Sequence, residues 1–262
     1  MGYWNRKDEL KKKAKSHTEK MNTLYENEIS ECVNRTKVYD QTFSCTKNFE
    51  IKDDFDQKIM VEDIDSVQAV FRYGYEGKVA VLNFADYKNP GGKFLEGSSA
   101  QEEMLCHSSF LYNVLSEFDE DYYAFNRLTK NFALYTDHAL YSPDVLFIEG
   151  DAEICVDVIT CAAPNKYTAK KYCDKSDFDC NYAMEDRIHF MLDIAKEEEV
   201  ETLILGAWGC GVFGNDPEFV ANAFKKELEE YYSDTFENII FAIPGGMNYM
   251  VFKMVFGGEQ CK

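Results

Sequence analysis

The chain has 262 residues, 45% of them apolar, with 20 Phe and 17 Tyr, enough for one large domain or two small ones around a substantial core. Its formal charge of −19 argues against broad, nonspecific nucleic-acid binding, which rests on Lys and Arg neutralising phosphates. That charge excludes an anionic small ligand less firmly, because a local cradle of backbone N–H groups binds phosphate even in an acidic protein.

The N-terminal MGYWNRKDELKKKAKSH has no apolar h-region, and no apolar run is long enough to span a membrane. The nine cysteines are odd in number and lack CxxC pairs, so reduced thiols in a cytoplasmic protein are expected. His17, His107, His138 and His189 are dispersed, and the adjacent Cys106 and His107 would diverge on a helix, so no metal site is expected.

Along the chain, residues 5–40 are charged and helix-prone, with a basic run at Lys11–Lys13, and read as an N-terminal helical arm. From residue 60 the pattern becomes alternating α/β. Asp63 or Asp65 is placed to cap a helix through 67–71, and KVAVLNFA (78–85) is a buried strand. A helix is expected over 101–115, with Met104, Leu105, Phe110 and Leu115 facing the core. Strands follow at 144–150 and 156–164, a helix at 182–199, a strand at 201–207, a helix at 218–232 and a last strand at 237–243. Met184, Ile188, Met191, Leu192 and Ile194 form the buried stripe of the 182–199 helix. Such alternation indicates a largely parallel sheet covered on both faces, with ligands at the carboxyl ends of the strands. Three features fall there: NPGG after 78–85, APN after 156–162, and a glycine loop after 201–207.

That loop, LGAWGCGVFGNDPEF, contains Gly209, Gly211 and Gly214 in a formal GxGxxG. A dinucleotide fingerprint would open the helix within its glycines, yet Asp216-Pro217 reads as an N-cap followed by Pro at the first helical position. What survives is a segment whose backbone can approach a diphosphate closely, next to the positive end of a helix dipole. Phe213 is either a ring offered to a sugar or base, or, with Trp208, a core residue.

In NPGGKFLEGSSAQEEMLCHSS, Ser99 and Glu102 fit the S-x-x-E capping box. Glu102 is then explained without chemistry, and Glu103 is left beside a glycine turn at the ligand end of a strand.

The segment GGK-FLEGSSA-QEE resembles the GGG-x(6–8)-QEE signature of poly(ADP-ribose) glycohydrolases. VLNFADYKNPGGKFLEGSSAQEEMLCHSSFLY, YSPDV, the APN after a strand, and LGAWGCGVFGNDP are all similar to the bacterial-type branch of that family, in the expected order. The resemblance implies a macrodomain: a three-layer α/β/α sandwich with a mostly parallel mixed sheet, here over 51–262 behind a helical arm at 1–50, binding ADP-ribose.

It further implies roles for individual residues. Gly91 and Gly92 lie near the diphosphate and distal ribose, and Gln101 positions the glutamates. Glu102 orients the ribose hydroxyls, and Glu103 is the catalytic acid. Gly209, Cys210, Gly211, Val212 and Phe213 form the diphosphate loop, with Phe213 against the terminal ribose, and Gly214 is expected with them among the substrate-binding residues. No metal or other cofactor is implied, and the expected partner is ADP-ribose or poly(ADP-ribose) on modified macromolecules, met by a monomer without membrane contact. The same residues are compatible with a module that binds ADP-ribose without cleaving it, or with hydrolysis of another ADP-ribosyl linkage.

The departure from the signature is Lys93, in place of the third glycine. A left-handed backbone there would strain a lysine. Alternatively, its ammonium would reach the diphosphate or the polymer. The net charge itself implies long-range repulsion of a polyphosphate, relieved as salt is added.

Overall fold

The computed structural model describes residues 3–47 and 57–257. The boundary expected at 50/51 lies outside the described residues. Two helices, α1 (Tyr3–Leu24) and α2 (Glu26–Arg35), open the chain. Strands β1 (Lys37–Asp40) and β2 (Lys58–Glu62), helix α3 (Ser66–Tyr73) and strand β3 (Val79–Phe84) follow. Next come α4 (Gln101–His107), α5 (Leu111–Ser116), α6 (Ala124–Leu128), β4 (His138–Glu149) and β5 (Ala152–Cys161). The chain ends with α7 (Lys166–Cys173), α8 (Asp177–Glu197), β6 (Thr202–Leu205), α9 (Pro217–Glu230), β7 (Asn238–Ala242) and α10 (Gly246–Phe256).

The strands form one mixed sheet in the order β1-β4-β5-β3-β6-β7-β2. From β5 to β2 every pairing is parallel, while β1–β4 and β4–β5 are antiparallel. Its central strand β3 is apolar apart from Asn83 because both faces are covered. Ala80 and Leu82 join a core with Ile188, Met191, Phe224 and Phe252 of α8, α9 and α10. Val79 and Val81 join a second core with Met21, Val70, Leu105 and Val114 of α1, α3, α4 and α5. Two helical layers therefore enclose the sheet in a three-layer α/β/α sandwich.

Local signals set several element ends. Asp65, not Asp63, caps α3, accepting from Gln68 N–H while Gln68 reaches back to the Asp65 N–H. Asp216 caps α9, with Pro217 at its first turn. The 101–115 helix divides, because Ser109 takes the Leu105 carbonyl with its hydroxyl and pairs its backbone with Phe147. Ile148 N–H also bonds to Ser108 O. The free edge of β4 thus captures backbone that would otherwise continue the helix. Met104, expected in the core, is 38% exposed, whereas Leu105, Phe110 and Leu115 are buried.

The hairpin β4–β5 begins six residues earlier than the expected 144 start, at His138, since Pro143 and the left-handed Asp144 (φ 54°) sit inside it as a bulge. Residues Lys37–Asp40, assigned to the helical arm from sequence, are an edge strand on β4.

The N-terminal helices dock on the sandwich. Ala14, Met21, Ile29 and Cys32 are buried. His17 Nε2 donates to Ser109 O at 2.8 Å, and Asn113 Nδ2 donates to Thr18 O and Asn22 Oδ1 at 3.1 and 2.6 Å. At Gly97 (φ +78°) a Cβ would overlap the Lys7 carbonyl and lie 3.1 Å from the Lys11 side chain. This glycine lets α1 rest directly on the segment that carries the expected site. Gly97→Ala is expected to cost about 1–3 kcal/mol through backbone strain and overlap. Thermal unfolding should register this as a lower Tm, with amide exchange accelerated in α1 before α8; an unchanged Tm would contradict the contact.

Candidate functional site

The carboxyl end of β3 and the start of α4 are joined by three consecutive side chains. Gln101 Oε1 accepts the Phe84 N–H at 2.9 Å, and its Nε2 donates to Leu82 O at 2.8 Å and Ser66 Oγ at 3.1 Å. Glu102 Oε2 accepts the Asp86 N–H at 2.7 Å, and Oε1 accepts from Asn83 Nδ2 at 3.2 Å. Glu103 Oε1 accepts the Lys93 N–H and Oε2 the Ala100 N–H, both at 2.9 Å.

The capping box expected from Ser99 and Glu102 therefore sits one residue later. Ala100 is the N-cap, and Glu103 provides half a box by holding its N–H. Glu102 is turned instead toward Asn83 at the end of β3. Asn83, left unassigned from sequence, aims Glu102 from the end of β3. Its place one residue before the end of a buried strand was the available signal.

Both carboxyl groups are buried, Glu102 4% and Glu103 6% exposed. They converge on Gly92, which is left-handed (φ +60°). A Cβ there would lie 2.7 Å from Glu102 Oε2 and 2.9 Å from Glu103 Oε1. Gly91 (φ +63°) is similarly confined, by the Tyr112 ring and Cys106. Lys93 is different. Its φ of −109° is ordinary for an L-residue, its N–H is the donor to Glu103, and its side chain is exposed. The third signature position thus imposes no glycine requirement here.

Burial drives the Glu102 pKa well above the usual 4.5. The bonds from Asp86 N–H and Asn83 pull it back, while the neighbouring Asp86 and Glu103 charges add to the rise. Above that usual value the native state retains a proton that the unfolded chain has released.

Beside this pair opens a cleft of about 750 Å³. Its walls are the α3 start (Asp65, Ser66, Val67), the α4 start (Ser99, Ala100, Gln101), the loop after β6 and the segment after β7. Arg6 of α1 also reaches it, a contribution sequence reasoning missed because the contact spans nearly a hundred residues. Gln101 lines the cleft, whereas Glu102 and Glu103 stand directly behind it in sequence.

The loop after β6 is built by Asn215, whose Nδ2 donates to Pro164 O at 2.9 Å and Gly209 O at 3.1 Å. Gly209 (φ +72°) and Gly214 (φ +71°) make its turns, and Gly211 has open space where a Cβ would be. The amides of Gly211, Val212 and Phe213 donate to no group among the described residues. Cys210 is partly buried and its thiol lies 3.6 Å from Trp208 O. Val212 is exposed, and Phe213 is half-buried, lining the cleft and 6.3 Å from the Tyr135 ring. Trp208 is fully buried at the cleft wall. The α9 helix begins only at Pro217, after all the glycines, unlike a dinucleotide-binding turn.

Among the described residues, no three His, Cys, Asp or Glu side chains are grouped to hold a metal ion, and no helix is long and apolar enough to cross a membrane.

Fold and cleft together define a three-layer α/β/α domain with a nucleotide-sized cleft at the carboxyl ends of its parallel strands. Residues 7–150 match the family described as "Microbial-type PARG, catalytic domain", and the chain belongs to that family. The structure is similar to that of poly(ADP-ribose) glycohydrolase from Thermomonospora curvata, at 26% identity and a TM-score of 0.83, over 95% of this chain and 100% of that one. The same protein bound to the inhibitor ADP-HPD matches equally. The Deinococcus radiodurans poly(ADP-ribose) glycohydrolase in complex with ADP-ribose is 31% identical, with a TM-score of 0.77 over 88% of this chain and 98% of that one. No curated protein sequence matches the chain.

Two stability measurements test the site. Gly92→Ala should cost about 1–3 kcal/mol from its left-handed backbone alone, with the carboxylate clash added. Lys93→Gly should cost no more than about 0.5–1 kcal/mol, from chain entropy; denaturant titration compares them, and the reverse order would refute the geometry.

The second measurement concerns pH. Glu102 binds its proton more tightly folded than unfolded, so its contribution is fully present below about pH 4.5 and fades as pH rises toward the raised folded value. Glu102→Gln removes that loss, and its Tm relative to wild type should increase from pH 4 to pH 7; a constant difference would mean that Glu102 has an ordinary pKa.

Proposed function

We propose that the chain releases terminal ADP-ribose units from poly(ADP-ribose) by hydrolysing the ribose–ribose O-glycosidic bond, with Glu103 as general acid and base. The observation that carries this reading is the meeting of two buried carboxyl groups at Gly92, beside a cleft of nucleotide size. Family membership and the similarity to glycohydrolases from two bacteria support it.

Bond cleavage passes through an oxocarbenium-like sugar, and the leaving oxygen needs a proton. Glu103 gives that proton and, once ionised, takes one from the attacking water. Its two backbone bonds use one lone pair on each oxygen, so each can still meet a substrate group. Glu102 orients the ribose hydroxyls and is itself aimed by Asn83 and the Asp86 N–H. Gln101 holds the whole α4 start against β3.

The diphosphate lies over Gly209, Cys210, Gly211, Val212, Phe213 and Gly214, where the amides at 211–213 are available as donors. Its negative charge faces the cationic sugar and stabilises it. Phe213 packs on the distal ribose, and Gly91 and Gly92 let the ribose approach the carboxylates. The apolar end of the cleft, with Val67, Met104, Ile243, Pro244 and Met247, takes the adenine. Lys93, unstrained as it is, gives no support to a binding module that has lost turnover.

One observation favours a second assignment of the acid. Burial gives Glu102 the raised pKa that a proton donor needs, while both Glu103 oxygens accept backbone N–H groups. The single amide variants separate the two. With Glu103 as donor, Glu103→Gln lowers release of ADP-ribose by at least about 10²-fold and retains affinity for ADP-ribose. Glu102→Gln then weakens ADP-ribose binding as well as turnover. If instead Glu102→Gln alone abolishes turnover with binding intact, the roles are exchanged; release surviving in both would sink the carboxylate mechanism.

A further inference from the structure

On the far side of the Phe213 loop from the glutamates' helix, the surface changes character. The Tyr167 N–H donates to Phe213 O at 2.9 Å, and the Gly214 backbone lies against Tyr167, so α7 is attached to this loop. Asn165 N–H in turn bonds to Ala133 O, tying the start of α7 to the 131–133 turn. From this unit three large rings stand in solvent: Phe132 at 60%, Tyr167 at 54% and Tyr172 at 68% exposure. A further stacked pair, Phe178 and Tyr182, lies at the start of α8.

The segment KYTAKKYCDK (166–175) holds four lysines and one acid in a chain of net charge −19. Lys166 and Lys170 pair with Asp177. Lys171 and Lys175 form no close ion pair with a carboxylate among the described residues, although the Lys175 charge helps to hold Asp179 below its usual pKa. Lys171 Nζ lies 5.0 Å from the Tyr167 ring centre and 5.1 Å from that of Tyr172, and it donates to the Tyr167 hydroxyl at 2.7 Å. Lys175 Nζ lies 4.5 Å from the Phe132 ring centre. Neither the core nor the cleft uses these rings.

We infer that this platform is a binding subsite for the part of the polymer that continues beyond the unit in the cleft. Rings interleaved with cations are how proteins hold single-stranded nucleic acids, the rings stacking on bases and the cations following phosphates. Poly(ADP-ribose) offers the same two groups, adenines and diphosphates, in every repeat. Contiguous exposed aromatic surface marks an interaction site, and the local lysines complement a polyanion that the rest of the protein repels. The inference rests on the proposed substrate and on the loop 209–214 holding the terminal unit. It also reverses the salt dependence expected from net charge: polymer affinity should fall as salt rises, because bound lysines release counterions.

The test compares a poly(ADP-ribose) oligomer with free ADP-ribose, by direct binding to the full chain carrying Glu103→Gln and by steady-state kinetics in the active protein. Tyr172→Ala with Lys171→Gln should weaken oligomer binding about tenfold and leave the ADP-ribose Kd within about twofold. Tyr172→Phe should retain oligomer affinity, because stacking needs the ring and not the hydroxyl. In kinetics the double variant should raise KM for polymer while kcat holds. Unchanged oligomer affinity, or equal loss for oligomer and ADP-ribose, would overturn the subsite. So would single-stranded RNA binding this face as tightly as the oligomer, which would make it a nucleic-acid surface. Absence of ADP-ribose release by the active protein would count against the proposed reaction alone, since the ratio of oligomer to ADP-ribose affinity still reads the platform.

Discussion

Four backbone N–H groups beside the cleft are satisfied by three adjacent side chains. Gln101 takes Phe84, Glu102 takes Asp86, and Glu103 takes both Lys93 and Ala100. A buried amide without a partner is costly, so this set of bonds fixes the end of β3, the glycine turn and the start of α4 relative to one another. The position of both carboxyl groups follows from it, as does the need for glycine at 92. Every other part of the site is arranged around that knot: α1 on one side through Gly97, and the Phe213 loop on the other.

How much of this the sequence carried depended on whether the signal was local. Asp65 with Gln68, and Asp216 with Pro217, are short-range chemistry and mark their helices correctly. Strands β3, β6 and β7 are continuous apolar runs and were legible for that reason. By contrast β1 and β2 are sheet-edge strands of four and five residues, mostly polar or half-exposed, and only their partners make them strands. Ser108–Phe110 leaves the helix because the edge of β4 competes for its backbone, a contact spanning nearly forty residues. The capping box was displaced by one residue because Ser99-x-x-Glu102 satisfies a pattern, whereas the fold needs Glu102 at β3. The parts played by Asn83 and Arg6 went unassigned for a related reason, since each acts through a neighbour distant in sequence.

Charge is distributed as unevenly as hydrogen bonding. The chain is strongly acidic, yet α1 carries Lys11, Lys12 and Lys15 around one surface groove, and α7 carries lysines set against rings. Exposed charges beyond a Debye length are screened, so the nearest few charges decide what a flexible polyanion meets once it has arrived. The net charge opposes nonspecific adhesion, and under the proposed function the local patches would select where a polymer rests.

The two glutamates also pose a question of economy. An amide offers one acceptor oxygen where a carboxylate offers two, so a glutamine at 103 would take only one of the Lys93 and Ala100 N–H groups and one at 102 would turn its NH2 toward a donor, whereas Gln101 meets a single N–H with its oxygen. A carboxyl group at 102 carries a desolvation penalty that an amide avoids, visible in its raised pKa. The bonds from Asp86 N–H and Asn83 recover part of that penalty, and no cation pairs with Glu102 among the described residues. Under the proposed function a carboxyl group kept there despite its desolvation is explained by its chemistry, in the way perturbed groups gather at functional sites. The ability to hold and release a proton is the property that glutamine lacks, and in the proposed reaction it is used in the cleft beside it.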